Sequence, residues 1–378
     1  MFEIANTPRD YAWGSMTALA ALRGQAPTGA PEAELWLGDH PTSPAHVVAT
    51  GESLIDWGAR HPERLGGTGL PFLLKVLAAE RPLSIQAHPT REQAQRGFER
   101  ENAAGVPLDS PKRNFRDANH KPEIIIALTP FSALCGVRPA VHRAEIVEAL
   151  VALAIPGAHE LRAQLEGGVE AAMSWLLSHG AGVDDLVTAV SNDIAPTGNP
   201  LVDSALTVAR GLSRDFPGDP GIAVSLLLNH VDLEPGEALF LPAGNIHAYL
   251  HGLGIEVMAT SDNVLRGGLT SKHVDVPELL DVVDSRDLAE PRLVPTVDGP
   301  RRVFAPATDD FAVTEVTAAG TVELALTGPA IAIVTDGDVT FAADTDVAAH
   351  RGQSFFLEAG ETLREIAGNG RVFLAHRP

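Results

Sequence analysis

The chain has 378 residues, a formal net charge of −21, 45% hydrophobic and 20% charged residues, and a single cysteine. That length exceeds one ordinary core, so two or three domains are expected. The charge argues against nucleic acid as a partner, because phosphate backbones are bound by basic surfaces, and the lone Cys135 excludes an intramolecular disulfide and fits a reducing, cytoplasmic setting.

In chain order, the opening MFEIANTPRDYAWG has neither the basic nor the apolar region of a signal peptide. No uninterrupted apolar stretch is long enough to cross a bilayer. Up to about residue 90, short apolar runs broken by Gly and Pro predict strands and turns, PFLLKV (71–76) among them. LSIQAHPT (83–90) follows. Residues two apart on a strand project from one face, so Ser84, Gln86 and His88 point into one place. Unpaired polar groups are costly in a core, so that place should hold water, a ligand or a metal. Residues 90–104 read as a helix, with Thr90 and Gln93 forming a capping box at its start.

NHKPEIII opens the next strand region (122–139), which Pro130 and Pro139 interrupt; Glu123 stands at its start with Lys121 two before it on the same face. From 141 to about 213 the apolar spacing becomes helical. Strands are predicted again from Gly221, in IAVSLLLNHVDL, EALFLPA and GIEVMA, with a short helix at PELLDVV. From about 301 the pattern is short strands only. One internal repeat is visible: Gly236-EALFL-Pro-Ala-Gly244 and Gly352-QSFFL-Glu-Ala-Gly360. The first copy continues to His247, and the second has Leu363 in that place.

Gly236, Pro242, Gly244 and His247 satisfy the spacing Gly-(x5)-Pro-x-Gly-x2-His, the second motif of cupin β-barrels. Gln86, His88, Glu123 and His247 together supply two imidazoles, a carboxylate and an amide oxygen. That mixed set suits zinc or a similar divalent ion with positions left open. The segment IEVMATSDNVLRGGLTSKHVDV adds Glu256, Asp262, Arg266 and Lys272, and Gly267–Gly268 would let the backbone approach a ligand closely.

YAWG, AELWLGDHP, PFLLKVL, LSIQAHP, NHKPEIIIALTPFSALCGVRP, LPAGNIHAY and SDNVLRGGLTSKHVDV, spread in order over residues 11–276, resemble the type I mannose-6-phosphate isomerase family. The resemblance implies a zinc enzyme, one ion per chain, that interconverts mannose 6-phosphate and fructose 6-phosphate. It places the metal on Gln86, His88, Glu123 and His247. It places the substrate site at Trp13, Ser84, Lys75, Lys121, Glu256, Arg266 and Lys272. Within the site Arg266 and Lys121 are expected to stabilise developing negative charge, and Glu256 or Asp262 to act as base. Ser84, Lys75 or Lys272 would hold phosphate. A sugar phosphate is the expected partner, with no membrane and no obligate protein partner.

The expected architecture is mainly β: two cupin-type (jelly-roll) β-barrel units with an inserted helical domain. Residues 1–140 with 221–300 would form the metal-bearing unit, 141–220 the insert, and 301–378 a degenerate unit without metal. Two alternatives compete: a cupin dioxygenase, against which the glutamine and the Lys/Arg set argue, and a sugar-binding cupin without catalysis. Either could act on another sugar phosphate.

Overall fold

The computed structural model describes residues 1–378 apart from Thr68 and Glu290. Mainly β structure is what it shows, but the strands form two open nine-stranded sheets. The expected closure into barrels is not seen in the strand pairing.

The sheet that carries the site is organised by one long strand, His247–Ala259. One of its edges pairs with Phe72–Ala79 and, at His247, with Gln86. Its other edge pairs with Glu123–Ala127 and Phe131–Val137. Glu34–Leu37 extends the sheet beyond Phe72–Ala79, and Leu265–Arg266 extends it beyond Gln86–Ala87. Period-2 alternation sorts the residues. Leu74, Val76, Ile124, Ile126, Ile255 and Val257 enter an apolar core shared with the second sheet. Their neighbours Lys75, Glu123 and Glu256 turn the other way and are nonetheless buried.

The second sheet contains the C-terminal strands Ala312–Thr327, Ala330–Ala342, Ser354–Leu357 and Thr362–His376. Where only short strands are expected, residues 312–327 run as one strand of 16 residues. Phe2–Ala5 joins this sheet by pairing with Ser354–Leu357, so the chain's beginning completes its end. The internal repeat is borne out in geometry. Gly236 and Gly352 have φ of 91° and 89°, and Gly244 and Gly360 both have φ of 83°. These are left-handed values that favour glycine. Leu363, the counterpart of His247, is fully buried in an apolar core.

Helices Ala140–Ala152, Ala158–Glu166, Val169–Leu177, Val183–Val190 and Pro200–Asp215 form the expected helical block. Their core includes Ile85, Ala87, Leu134, Ile246 and Ala248. The block therefore covers the outer face of the segments whose alternate residues, Gln86, His88 and His247, face the site. Helix Arg91–Ala103 begins with the expected capping box of Thr90 and Gln93. One expectation fails: IAVSLLL is helical, with Gly221–Val224 and Ser225–Leu227 preceding the strand Leu228–Leu233. A wholly apolar run carries no period to separate a buried strand from a buried helix. Here Asp219 decides, since its carboxylate accepts the backbone N–H groups of Gly221, Leu269 and Thr270 and fixes the turn.

Candidate metal centre and active site

The alternation in LSIQAHPT survives although only Gln86–Ala87 is regular strand. Leu83 N–H donates to the Tyr249 carbonyl, Ile85 N–H to Gly268, and Gly267 N–H returns to Ile85. Gly268 has φ of 110°, and a Cβ there would lie 2.6 Å from Gly221 Cα, so glycine alone permits this approach. The pairing sets a row in which His247 is flanked by Gln86 and Cys135, and Gln86 in turn by Arg266. Cys135 is buried, which pushes its thiol up to about 12 and leaves it a neutral packing group.

His88, Glu123 and His247 converge, with one ligand atom from each within 4.8 Å of the others. Glu123 Oε2 lies 3.4 Å from His88 Nε2 and 3.3 Å from His247 Nε2. All three residues are essentially inaccessible to solvent. Both imidazoles are oriented through their other nitrogen. His88 Nδ1 is 2.7 Å from the Asn263 carbonyl and His247 Nδ1 is 3.1 Å from the Asn245 carbonyl. Backbone carbonyls only accept, so each Nδ1 carries the proton and each Nε2 presents a lone pair.

Those Nε2 atoms and Glu123 Oε2 are buried without any hydrogen-bond partner. Three orphaned lone pairs aimed at one point would be expensive in an empty core. A divalent cation satisfies them all at once, and two imidazoles with a carboxylate are a donor set that zinc accepts. Gln86 stands in register beside His247, where its amide oxygen could complete the set. Burial, with the nearby Lys121 ammonium, pushes His88 down to about 4, so it is a neutral donor at physiological pH. Burial opposes the charge on Glu123, yet Lys121 and the two imidazoles hold its carboxyl well below the usual range. Lys121 Nζ is 2.9 Å from Glu123 Oε1.

A second charged group lies on the same face. Lys75 Nζ is 3.0 Å from Glu256 Oε2 and 3.6 Å from Glu34 Oε1, and sits over the Trp36 ring at 4.9 Å. Burial alone would discharge this ammonium, but Glu256, Glu34 and Glu123 raise its pKa above the ordinary lysine value. The lysine is thus committed to two carboxylates, which removes the support for expecting it to hold phosphate. Burial also raises Glu256 above the usual carboxylate range, against the pull of Lys75. Asp262 Oδ1 lies 3.5 Å from His40 Nε2. Trp13 is half-buried and stacks on Tyr11 at 5.7 Å. Ser84 is half-buried beside Gln86.

Arg266 and Lys272 are near enough to repel one another, and Arg116 repels both. Burial, then these like charges, lower the pKa of Arg266 and of Lys272. Among the described residues none of the three has a carboxylate within ion-pairing distance, in a chain of net charge −21. Arg116 was missed in sequence although it stands a few residues before the HKPE motif. Asn263 was missed too. It is fully buried, and its side chain accepts from the Arg116 and Asp117 N–H groups while donating to the Asp117 and Asn119 carbonyls. It locks the loop whose carbonyl orients His88. His251, exposed on the long strand, takes no part.

Residues 1–140 match the family model described as "Phosphomannose isomerase type I, catalytic domain". The chain is 36% identical over 387 residues to mannose-6-phosphate isomerase of Salmonella typhimurium, covering 98% of each chain. It is 33% identical over 414 residues to the Homo sapiens protein of the same name, covering 96% of this chain and 94% of that one. Among solved structures, mannose 6-phosphate isomerase bound with zinc and yttrium superposes with a TM-score of 0.87 at 34% identity, over 99% of this chain and 98% of that one. The apo form from Salmonella typhimurium gives a TM-score of 0.87 at 35% identity with the same coverage.

Proposed function

Because the chain belongs to the mannose-6-phosphate isomerase family, and is therefore an isomerase, we propose that it interconverts D-mannose 6-phosphate and D-fructose 6-phosphate with one zinc ion per chain. The observation that carries the metal is the convergence of three orphaned lone pairs on His88, Glu123 and His247. Gln86 is assigned as the fourth protein ligand. When bound, zinc would act as a Lewis acid that polarises the sugar's oxygens. The two cupin-type units and the helical insert remain the domain reading, supported by the matched geometry of the glycine repeat.

The reaction moves a proton between C2 and C1 through a cis-enediol. Glu256 is the proposed base: burial brings its pKa toward the working pH, where a base is most useful. Asp262 is the other candidate. Lys121 and Arg266 supply fixed positive charge for the oxygens that become negative. Trp13 and Ser84 are assigned to the sugar. The phosphate is assigned to Lys272 together with Arg116, because no carboxylate among the described residues pairs with these cations and an anionic substrate supplies the negative charge.

A coupled assay of mannose 6-phosphate conversion to fructose 6-phosphate tests the activity; a folded, zinc-loaded protein that forms no fructose 6-phosphate would overturn it. Two variants test the assignments. Glu256→Gln is expected to lower kcat by about 10²–10⁴-fold with little change in KM; near-normal kcat per folded molecule would place the base elsewhere. Arg116→Ala is expected to raise KM about 10-fold at nearly constant kcat, at the lower end of what a hydrogen bond to a charged group contributes because the residue is exposed. An unchanged KM at low salt would remove Arg116 from the phosphate site.

A further inference from the structure

Arg138 follows the strand Phe131–Val137, three residues beyond Cys135, and the chemistry above leaves it without a role. It is 5% exposed. Its Nε and Nη2 are buried with no hydrogen-bond partner, and no carboxylate among the described residues lies within ion-pairing distance. The groups around it are already engaged. Asp287 gives one oxygen to Arg143 and the other to the Ala140 N–H. Arg143 also donates to the Arg138 carbonyl. The ring of His230, which feels the Arg138 charge, is held between Ser132 Oγ at 2.9 Å and Ser204 Oγ at 3.3 Å, and its Nε2 lies 3.4 Å from the exposed Asp232 Oδ1. Arg138 therefore sits at the seam between the strand Leu228–Leu233 and the helical block, as a cation with no ion-pair partner among the described residues.

A buried guanidinium cannot shed its proton as a lysine can. Leaving its charge uncompensated would cost several kcal/mol. In the rest of this molecule the buried cations Lys75, Lys121 and Arg113 all have carboxylate partners. We propose that Arg138 binds a small exogenous anion, of the size of chloride, in the seam between the sheet and the helical block. The size follows from burial. The two unpartnered nitrogens, Nε and Nη2, lie on one edge of the guanidinium and are closed to solvent, which suits a compact monovalent ion rather than a phosphate or carboxylate. The ion would tie the helical block to the sheet through charge rather than through the apolar contacts described above.

The test is melting temperature against chloride at constant ionic strength, with gluconate as the bulky replacement. The wild-type protein is expected to gain about 2 °C in a saturable way. Lys272→Ala, altered in the substrate site, should keep that response. Arg138→Met should lose it, because an apolar side chain of similar volume removes the need for the ion. Independently of any variant, crystals soaked in bromide should show an anomalous peak beside the Nε and Nη2 edge of Arg138. A wild-type melting temperature flat in chloride, an equal response in Arg138→Met, or bromide peaks confined to other sites would each overturn the proposal.

Discussion

Glu123→Gln is expected to leave the protein folded but without bound zinc, and to lower turnover by about 10³-fold or more. The substitution keeps shape while removing the negative charge that two imidazoles and Lys121 face. A neutral amide is a poor ligand beside an unbalanced ammonium, so metal affinity falls steeply. Lewis-acid stabilisation is worth several kcal/mol, and about 1.4 kcal/mol corresponds to tenfold in rate. Folding should suffer less, because one buried polar atom replaces another. Metal content by mass spectrometry and activity on the same sample check this. A Glu123→Gln protein that retains stoichiometric zinc would remove the carboxylate from the ligand set.

The largest stability effect is expected at Lys75. Lys75→Met should cost about 3–5 kcal/mol, the range for removing one partner of a buried ion pair. What remains is Glu256 and Glu34 facing each other across a site that also holds Glu123, with no ammonium between them. The cost should depend on pH. Burial already raises the pKa of Glu256, and losing Lys75 removes the larger of the two positive charges that pull it down, leaving Lys121. A carboxyl with a raised folded pKa binds its proton more tightly when folded, so the variant regains stability as pH falls through that value. Denaturant titrations at pH 7.5 and pH 5.5 measure the deficit. A deficit under 1 kcal/mol, or one that widens toward acid, would contradict the charge balance described here.

How far these features are legible in sequence depends on how local their causes are. The capping box of Thr90 and Gln93, the alternation of Ser84, Gln86 and His88, and the glycine spacing before His247 are all set by neighbours along the chain. Each is readable for that reason. Lys75 is different. Its partners come from the two flanking strands, Glu256 directly opposite it and Glu34 two residues along from Trp36, its partner in register, and a single lysine in an apolar run carries no trace of them. The pairing of Phe2–Ala5 with Ser354–Leu357 is equally non-local. Asn263 is hidden because its work is done by a backbone carbonyl and an amide inside a loop. The run IAVSLLL lacks a period, and its helical form depends on Asp219 just before it.

The most direct measurement is the coupled conversion assay on one preparation, run as purified, after chelation, and after graded return of zinc, with bound metal counted at each step. A zinc-dependent isomerase built on His88, Glu123 and His247 loses activity with its metal and regains it in proportion, reaching full rate at one ion per chain. Full activity in a chelated, metal-free sample would show that the convergent lone pairs do not hold the catalytic ion.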